Sequence, residues 1–211
     1  TGQVAWIGAV QEHGQPAFYA MRMKVEDGKI AEVETVVRRK GGPPQYGDPV
    51  DLPGELTHVS FYPWPPENLR ELALSHDVIL VCGGNTANML AVWRVHGFDE
   101  ILREAWESGV LLTGWSAGMI CWFEAGVTDS FGPQLEGMRD GLGFLPGSAC
   151  PHYDGEELRR PVYTRLVREG FPAGIALDDG VAAHYAGTEL HEVVTGRADA
   201  GGYRVGLDGE E

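Results

Sequence analysis

Leu112-Thr113-Gly114-Trp115-Ser116-Ala117-Gly118-Met119-Ile120 runs from an apolar strand through Gly-x-Ser-x-Gly into an apolar stretch of helical character. Strand, sharp turn and helix in that order read as a nucleophile elbow. So tight a turn needs glycine on both sides, because larger side chains would clash, and it lifts the serine Oγ clear of the sheet edge. The N-terminus of the following helix offers N–H groups and partial positive charge where an oxyanion develops. Glycine makes up 30 of the 211 residues, so the pattern takes its weight from the strand before it and the helix after it.

Working outward, Val78 to Cys82 is a short continuous apolar run ending in Gly83-Gly84, which reads as a parallel strand buried on both faces. Asn85 or Thr86 caps a helix running to about Val95, with Gly97 as its stop; Asp99 caps a second, Glu100 to Ser108, which Gly109 ends. Val110 to Thr113 is then the strand of the elbow. Downstream, Arg160 to Arg168 reads as a helix with Pro161 in its first turn, and Gly174 to Leu177 as another apolar strand. Val181 to Val205 reads as short strands with turns at Gly187 and Gly201-Gly202. The expectation is an α/β fold, a mostly parallel open sheet with helices on both faces, and ligands beyond the carboxyl ends of its strands.

The Pro- and Gly-rich stretch from Gly41 to Pro66 divides the chain, and a boundary near residue 52 separates an N-terminal β-rich segment, 1–52, from a core, 53–211. In the first part, Ala17 to Val25 and Lys29 to Val37 read as a β-hairpin turning at Glu26-Asp27-Gly28.

Sixteen basic residues against thirty-one acidic ones leave a formal charge of −15, which repels nucleic acid and anionic membrane surfaces. Cys82, Cys121 and Cys150 are widely spaced and form no CxxC pair, so neither a disulfide framework nor a thiolate zinc site is expected, and a reducing cytoplasm fits. No apolar run approaches the roughly 20 residues that span a bilayer, and Thr1 to Val10 lacks the pattern of a signal peptide. With no HExxH, Cys/His cluster or EF-hand spacing, no metal and no cofactor are expected.

A serine hydroxyl at its own pKa is a poor nucleophile and needs an imidazole to take its proton. Among seven histidines, His152 has the best setting, in Ser148-Ala149-Cys150-Pro151-His152-Tyr153-Asp154-Gly155 downstream of the elbow. The N–H of Gly84 pairs with that of Ala117 as a candidate oxyanion hole. Three acids compete to orient the imidazole: Asp179 after the strand ending at Leu177, Asp129 in Val127-Thr128-Asp129-Ser130, and Asp154 two residues past the histidine. Asp179 is favoured, then Asp129.

Gly83-Gly84-Asn85-Thr86, Gly114-Trp115-Ser116-Ala117-Gly118 and Pro151-His152-Tyr153 together resemble peptidase E and its S51 relatives, serine peptidases with a fold like class I glutamine amidotransferases. The resemblance covers roughly residues 55 to 208. It implies Ser116 as nucleophile, His152 as base, Gly84 with Ala117 as oxyanion hole and a small peptide as substrate; a homodimer is a possible assembly. Peptidase E takes dipeptides with an N-terminal aspartate, for which Arg159, Arg160 or Arg165 would supply the basic group. Residues 1–52 depart from the family's usual opening, and the hairpin from Arg22 to Arg38 weakly resembles the closing strands of an NTF2-like domain. Either that segment completes the sheet or the core is partial. The competing functions are an esterase or amidase with the same triad, and a catalytically silent binding module.

Overall fold

The computed structural model describes residues 57–211 throughout and, before them, the backbone of three strands. These are β1 (Val4–Ala9), β2 (Tyr19–Glu26) and β3 (Lys29–Val37); β2 and β3 pair antiparallel with each other. The expected boundary near residue 52 and the turn at Asp27-Gly28 lie outside the described residues.

From residue 57 the chain runs α1 (Leu69–Leu74), β4 (Val78–Val81), α2 (Thr86–Val95), α3 (Phe98–Glu107), β5 (Leu111–Trp115) and α4 (Ala117–Ile120). It continues through β6 (Phe123–Thr128), β7 (Glu136–Met138), β8 (Leu145–Cys150), α5 (Arg159–Arg168) and β9 (Gly174–Leu177). Four strands close it: β10 (Val181–Ala186), β11 (Glu189–Thr195), β12 (Gly202–Gly206) and β13 (Gly209–Glu210).

Local chemistry accounts for the helix limits. Asn85 sits in an extended conformation and its side chain accepts the N–H of Asn88 at 2.9 Å, which caps α2. Gly97, left-handed at φ 64°, ends α2 and opens α3 at once, so α3 starts one residue before the expected cap. Asp99 falls instead in the first turn, where its charge still complements the helix dipole.

The strands form two mixed sheets, ordered β11-β10-β1-β5-β4 and β13-β12-β9-β8-β6-β7. Parallel pairing joins β4 to β5, β5 to β1, β6 to β8 and β8 to β9; the other pairs are antiparallel. This is more mixed than a mostly parallel open sheet, because after β9 the chain doubles back through short turns instead of crossing over through helices. β4 also differs from its expected burial: it ends its sheet, and Val78 and Leu80 are exposed. An apolar run alone does not separate an edge strand from a central one.

One apolar cluster runs from the helices α1 to α3 through Met119 and Ile120 of α4 to Leu145, Ile175 and Leu177 of one sheet and Val181 and Ala183 of the other. Behind α4, Trp122 packs among Trp93 and Phe144, with ring centroids 6.5 and 5.8 Å away. Burial of a large aromatic of this kind contributes about 3–5 kcal/mol against truncation to alanine, and here it fixes the rear of the elbow.

Candidate active site

Ser116 leaves β5 with φ 58° and ψ −116°, a conformation that costs a non-glycine residue about 1–3 kcal/mol. The flanking glycines permit it. A Cβ on Gly114 would stand 2.6 Å from the Gly118 carbonyl oxygen, and one on either glycine would overlap the Val81 carbonyl. After the serine, the N–H groups of Met119 and Ile120 turn back to the Ser116 carbonyl at 3.0 and 3.1 Å. The helix so begun is a single turn, shorter than the sequence leads one to expect. So short a helix presents its first N–H groups more than a long dipole.

His152, with φ 56°, is the other non-glycine residue of positive φ among the described residues. Both strained positions are thus the two residues whose chemistry the sequence singles out. Parallel neighbours β8 and β9, in register at Cys150 and Ala176, carry His152 and Asp179 beyond their carboxyl ends. The N–H of Tyr153 donates to the Leu177 carbonyl at 3.0 Å and ties the two loops together. His152 Nδ1 lies 2.8 Å from Asp179 Oδ1, with the side chains 8% and 3% exposed, so little water screens the contact. Since the carboxylate accepts, Nδ1 is the ring nitrogen that donates across this contact.

Ser116 follows β5 and His152 follows β8, and α4 packs against both strands. Among the described residues no hydrogen bond joins Ser116 to His152; such contacts commonly tighten only when substrate is bound. Gly83 lies beside the serine, since a Cβ on it would be 3.1 Å from the Ser116 Cβ, and Gly84 follows with φ 148°. This loop is pinned to the end of β6: Asn85 Nδ2 donates to the Ser130 carbonyl at 2.9 Å, and the N–H of Ala87 to Ser130 Oγ at 3.2 Å.

The three candidate acids take different places. Asp179 holds the imidazole. Asp129 is exposed, on the β6 loop next to Ser130, and among the described residues no hydrogen bond joins it to His152. Asp154 serves Asp179: its Oδ1 accepts the backbone N–H of Asp179 at 2.7 Å, and its Oδ2 accepts from Arg197 Nη1 at 3.1 Å. The same Arg197 nitrogen donates to the Asp179 carbonyl at 3.0 Å. Sequence reading missed Arg197, which sits in a turn without a recognisable pattern. Gly155 was missed as well; it packs against the Asp179 carboxylate, where a Cβ would stand 3.0 Å from Cγ. Asp178, next along, points elsewhere and accepts from the Gly201 N–H and the Tyr203 hydroxyl at 2.9 and 3.1 Å. Burial pushes its carboxyl up, and the Gly201 donor opposes that.

The arginines expected near a substrate carboxylate lie along α5. Arg159 is buried, donating to the Val127 carbonyl and to Glu156 at 2.7 Å each. Arg160 lies over the rings of Tyr153 and Tyr203, at 4.8 and 4.7 Å, and pairs with Glu210 at 3.2 Å. Arg165 is exposed and pairs with Glu169. Cys121, fully buried behind α4, donates to the Gly118 carbonyl at 3.5 Å, and burial pushes its thiol well up, which suits packing and not nucleophilic attack. No helix among the described residues is long and apolar enough to cross a membrane.

The sequence profile of peptidase family S51 matches residues 50–193. The Bacillus subtilis (strain 168) protein YgaJ, an uncharacterized peptidase, is 50% identical over 150 residues, which are 71% of this chain and 64% of that protein. The chain therefore spans less than two thirds of that relative's length. Among solved structures, a peptidase from an acI-B1 actinobacterium is 20% identical with a TM-score of 0.47, covering 68% of this chain and 59% of its own. A Listeria monocytogenes EGD-e protein assigned as a peptidase E is 21% identical with a TM-score of 0.46, over 60% of this chain and 63% of its own.

Proposed function

The chain belongs to peptidase family S51, and from that premise we propose that it hydrolyses small peptides through Ser116, His152 and Asp179. The observation that carries this reading is the buried contact of 2.8 Å between His152 Nδ1 and Asp179 Oδ1. Strain at Ser116 and His152 supports it independently. The finer fold reading goes with it: the parallel strands β4–β5 and β6–β8–β9 are the core of a class I glutamine amidotransferase-like arrangement, with the reacting residues beyond their carboxyl ends.

In this mechanism Ser116 Oγ attacks the peptide carbonyl while His152 Nε2 takes its proton. Asp179 keeps the other ring proton on Nδ1 and stabilises the imidazolium that forms. The N–H groups of Ala117 and Gly84 donate to the oxyanion; removing one such donor costs about 10²–10³ in turnover. His152 then gives its proton to the leaving amine, and water attacks the Ser116 ester by the same route in reverse. Asp154 and Arg197 hold the Asp179 backbone from either side and so keep its carboxylate aimed at the ring.

The test is turnover on a dipeptide panel by the chain and by Ser116→Ala. The variant should fold as before and lose hydrolysis, because the glycines and not the hydroxyl set the turn. Turnover within a few-fold of the parent would remove Ser116 as nucleophile.

A further inference from the structure

We propose that His184, His191 and Glu192 form a binding site for a divalent transition-metal ion of the zinc class, away from the Ser116 centre. The three side chains each offer a donor atom, and the donors lie within 4.8 Å of one another. His184 Nδ1 is 3.3 Å from Glu192 Oε1, and the rings of His184 and His191 meet edge to face with centroids 5.0 Å apart.

A β-bulge brings them together. Along β10 and β11, His184 pairs with Glu192 but Tyr185 pairs with Leu190, so His191 is the extra residue of the register shift. In a regular ladder, adjacent residues such as 191 and 192 would face opposite sides of the sheet. The bulge re-aims them so that both stand opposite His184, which is how bulges commonly position functional side chains.

The geometry suits an ion. Donors at about 2.1 Å around a tetrahedral zinc stand about 3.4 Å from one another, and His184 and Glu192 are already that far apart. His191 is exposed and needs only a small side-chain adjustment to join them. Two imidazole nitrogens and one carboxylate favour zinc, nickel or copper over magnesium or calcium. Three protein donors leave a further position for water, and the chain's formal charge of −15 draws cations to its surface. β1 lies between β10 and β5, the strand that leads to Ser116, so the ion is not placed for peptide chemistry. It would bind the edge strand β11 to β10, the strand that begins just after Asp179.

The experiment uses the full chain, free of any histidine tag and stripped with chelator, titrated with zinc against a chromogenic competitor. Cobalt(II) absorption serves as the readout of coordination geometry. The parent and an exposed-histidine control, His96→Ala, should bind one zinc tightly and, loaded with cobalt(II) instead, show the d–d bands of a four- or five-coordinate ion. His191→Ala and Glu192→Gln remove exposed ligands without touching the core, and each should weaken binding by more than the roughly tenfold that disturbing an outer partner costs. Zinc should raise the melting temperature of the parent and not of His191→Ala. No zinc uptake by the parent, or undiminished binding by His191→Ala, would overturn the site.

Discussion

Replacing Asp179 with asparagine keeps the shape of the side chain and removes its charge at the point where His152 depends on it. The amide can face His152 in two ways. With its oxygen toward Nδ1, its NH₂ would occupy the place of Oδ2, which packs against Gly155 and has no hydrogen-bond partner among the described residues. A buried donor left unpaired costs about 1–3 kcal/mol, so the amide turns its NH₂ to Nδ1. That moves the ring proton to Nε2, the atom that must accept from Ser116. A triad with the wrong tautomer loses about 10⁴-fold in turnover, or about 5.4 kcal/mol at 1.36 kcal/mol per decade. The contact at stake is 2.8 Å long and almost fully buried, so solvent does not soften the loss. The assay is kcat on the best dipeptide, with circular dichroism to check folding and Asp129→Asn as an exposed control expected to be near neutral. A fall of less than about tenfold for Asp179→Asn would refute the assignment.

Gly155→Ala should lower kcat by about 10²-fold, the cost of misplacing a catalytic group by about an ångström, because the new methyl would push the Asp179 carboxylate off its line to the ring; unchanged kcat would contradict that packing. Asp154→Ala and Arg197→Met each remove a backbone tie of Asp179. Each loses a bond to a charged group worth about 1.5–3 kcal/mol, and a double-mutant cycle on kcat should be strongly non-additive because both act through one carboxylate; strict additivity would mean separate effects. Arg160→Gln should leave the ratio of kcat/KM for Asp-Leu over Asn-Leu within about threefold of the parent, since that guanidinium lies over two tyrosine rings and pairs with Glu210; a collapse of the ratio would make it the substrate's partner.

The sequence was informative where the physics is local. Gly114 and Gly118 mark the elbow because only glycine fits beneath the Val81 carbonyl, and Asn85 announces its helix through its own side chain. Gly174–Leu177 is a strand at the limits its apolar run suggests. Reading failed where contacts are distant. β6 and β8 carry no clean period because Gly126, Pro146 and Gly147 interrupt them, although they supply the parallel pair beside β9. Asp154 was visible only as a rival acid, since nothing near it in the chain shows that its partners are the Asp179 N–H and Arg197. Arg159 reads in the sequence as a candidate basic group for a substrate carboxylate, yet it turns inward to the Val127 carbonyl, a partner 32 residues away in the chain. The β10–β11 bulge likewise shows in pairing and not in composition.

The central claim, that Ser116 is an activated nucleophile, is tested most directly by a fluorophosphonate probe followed by peptide mapping. The account predicts one phosphonylated residue, Ser116, with labelling slowed severely in His152→Ala and in Asp179→Asn and absent in Ser116→Ala. Absence of labelling at high probe concentration in the folded parent, or labelling at another residue, would contradict it.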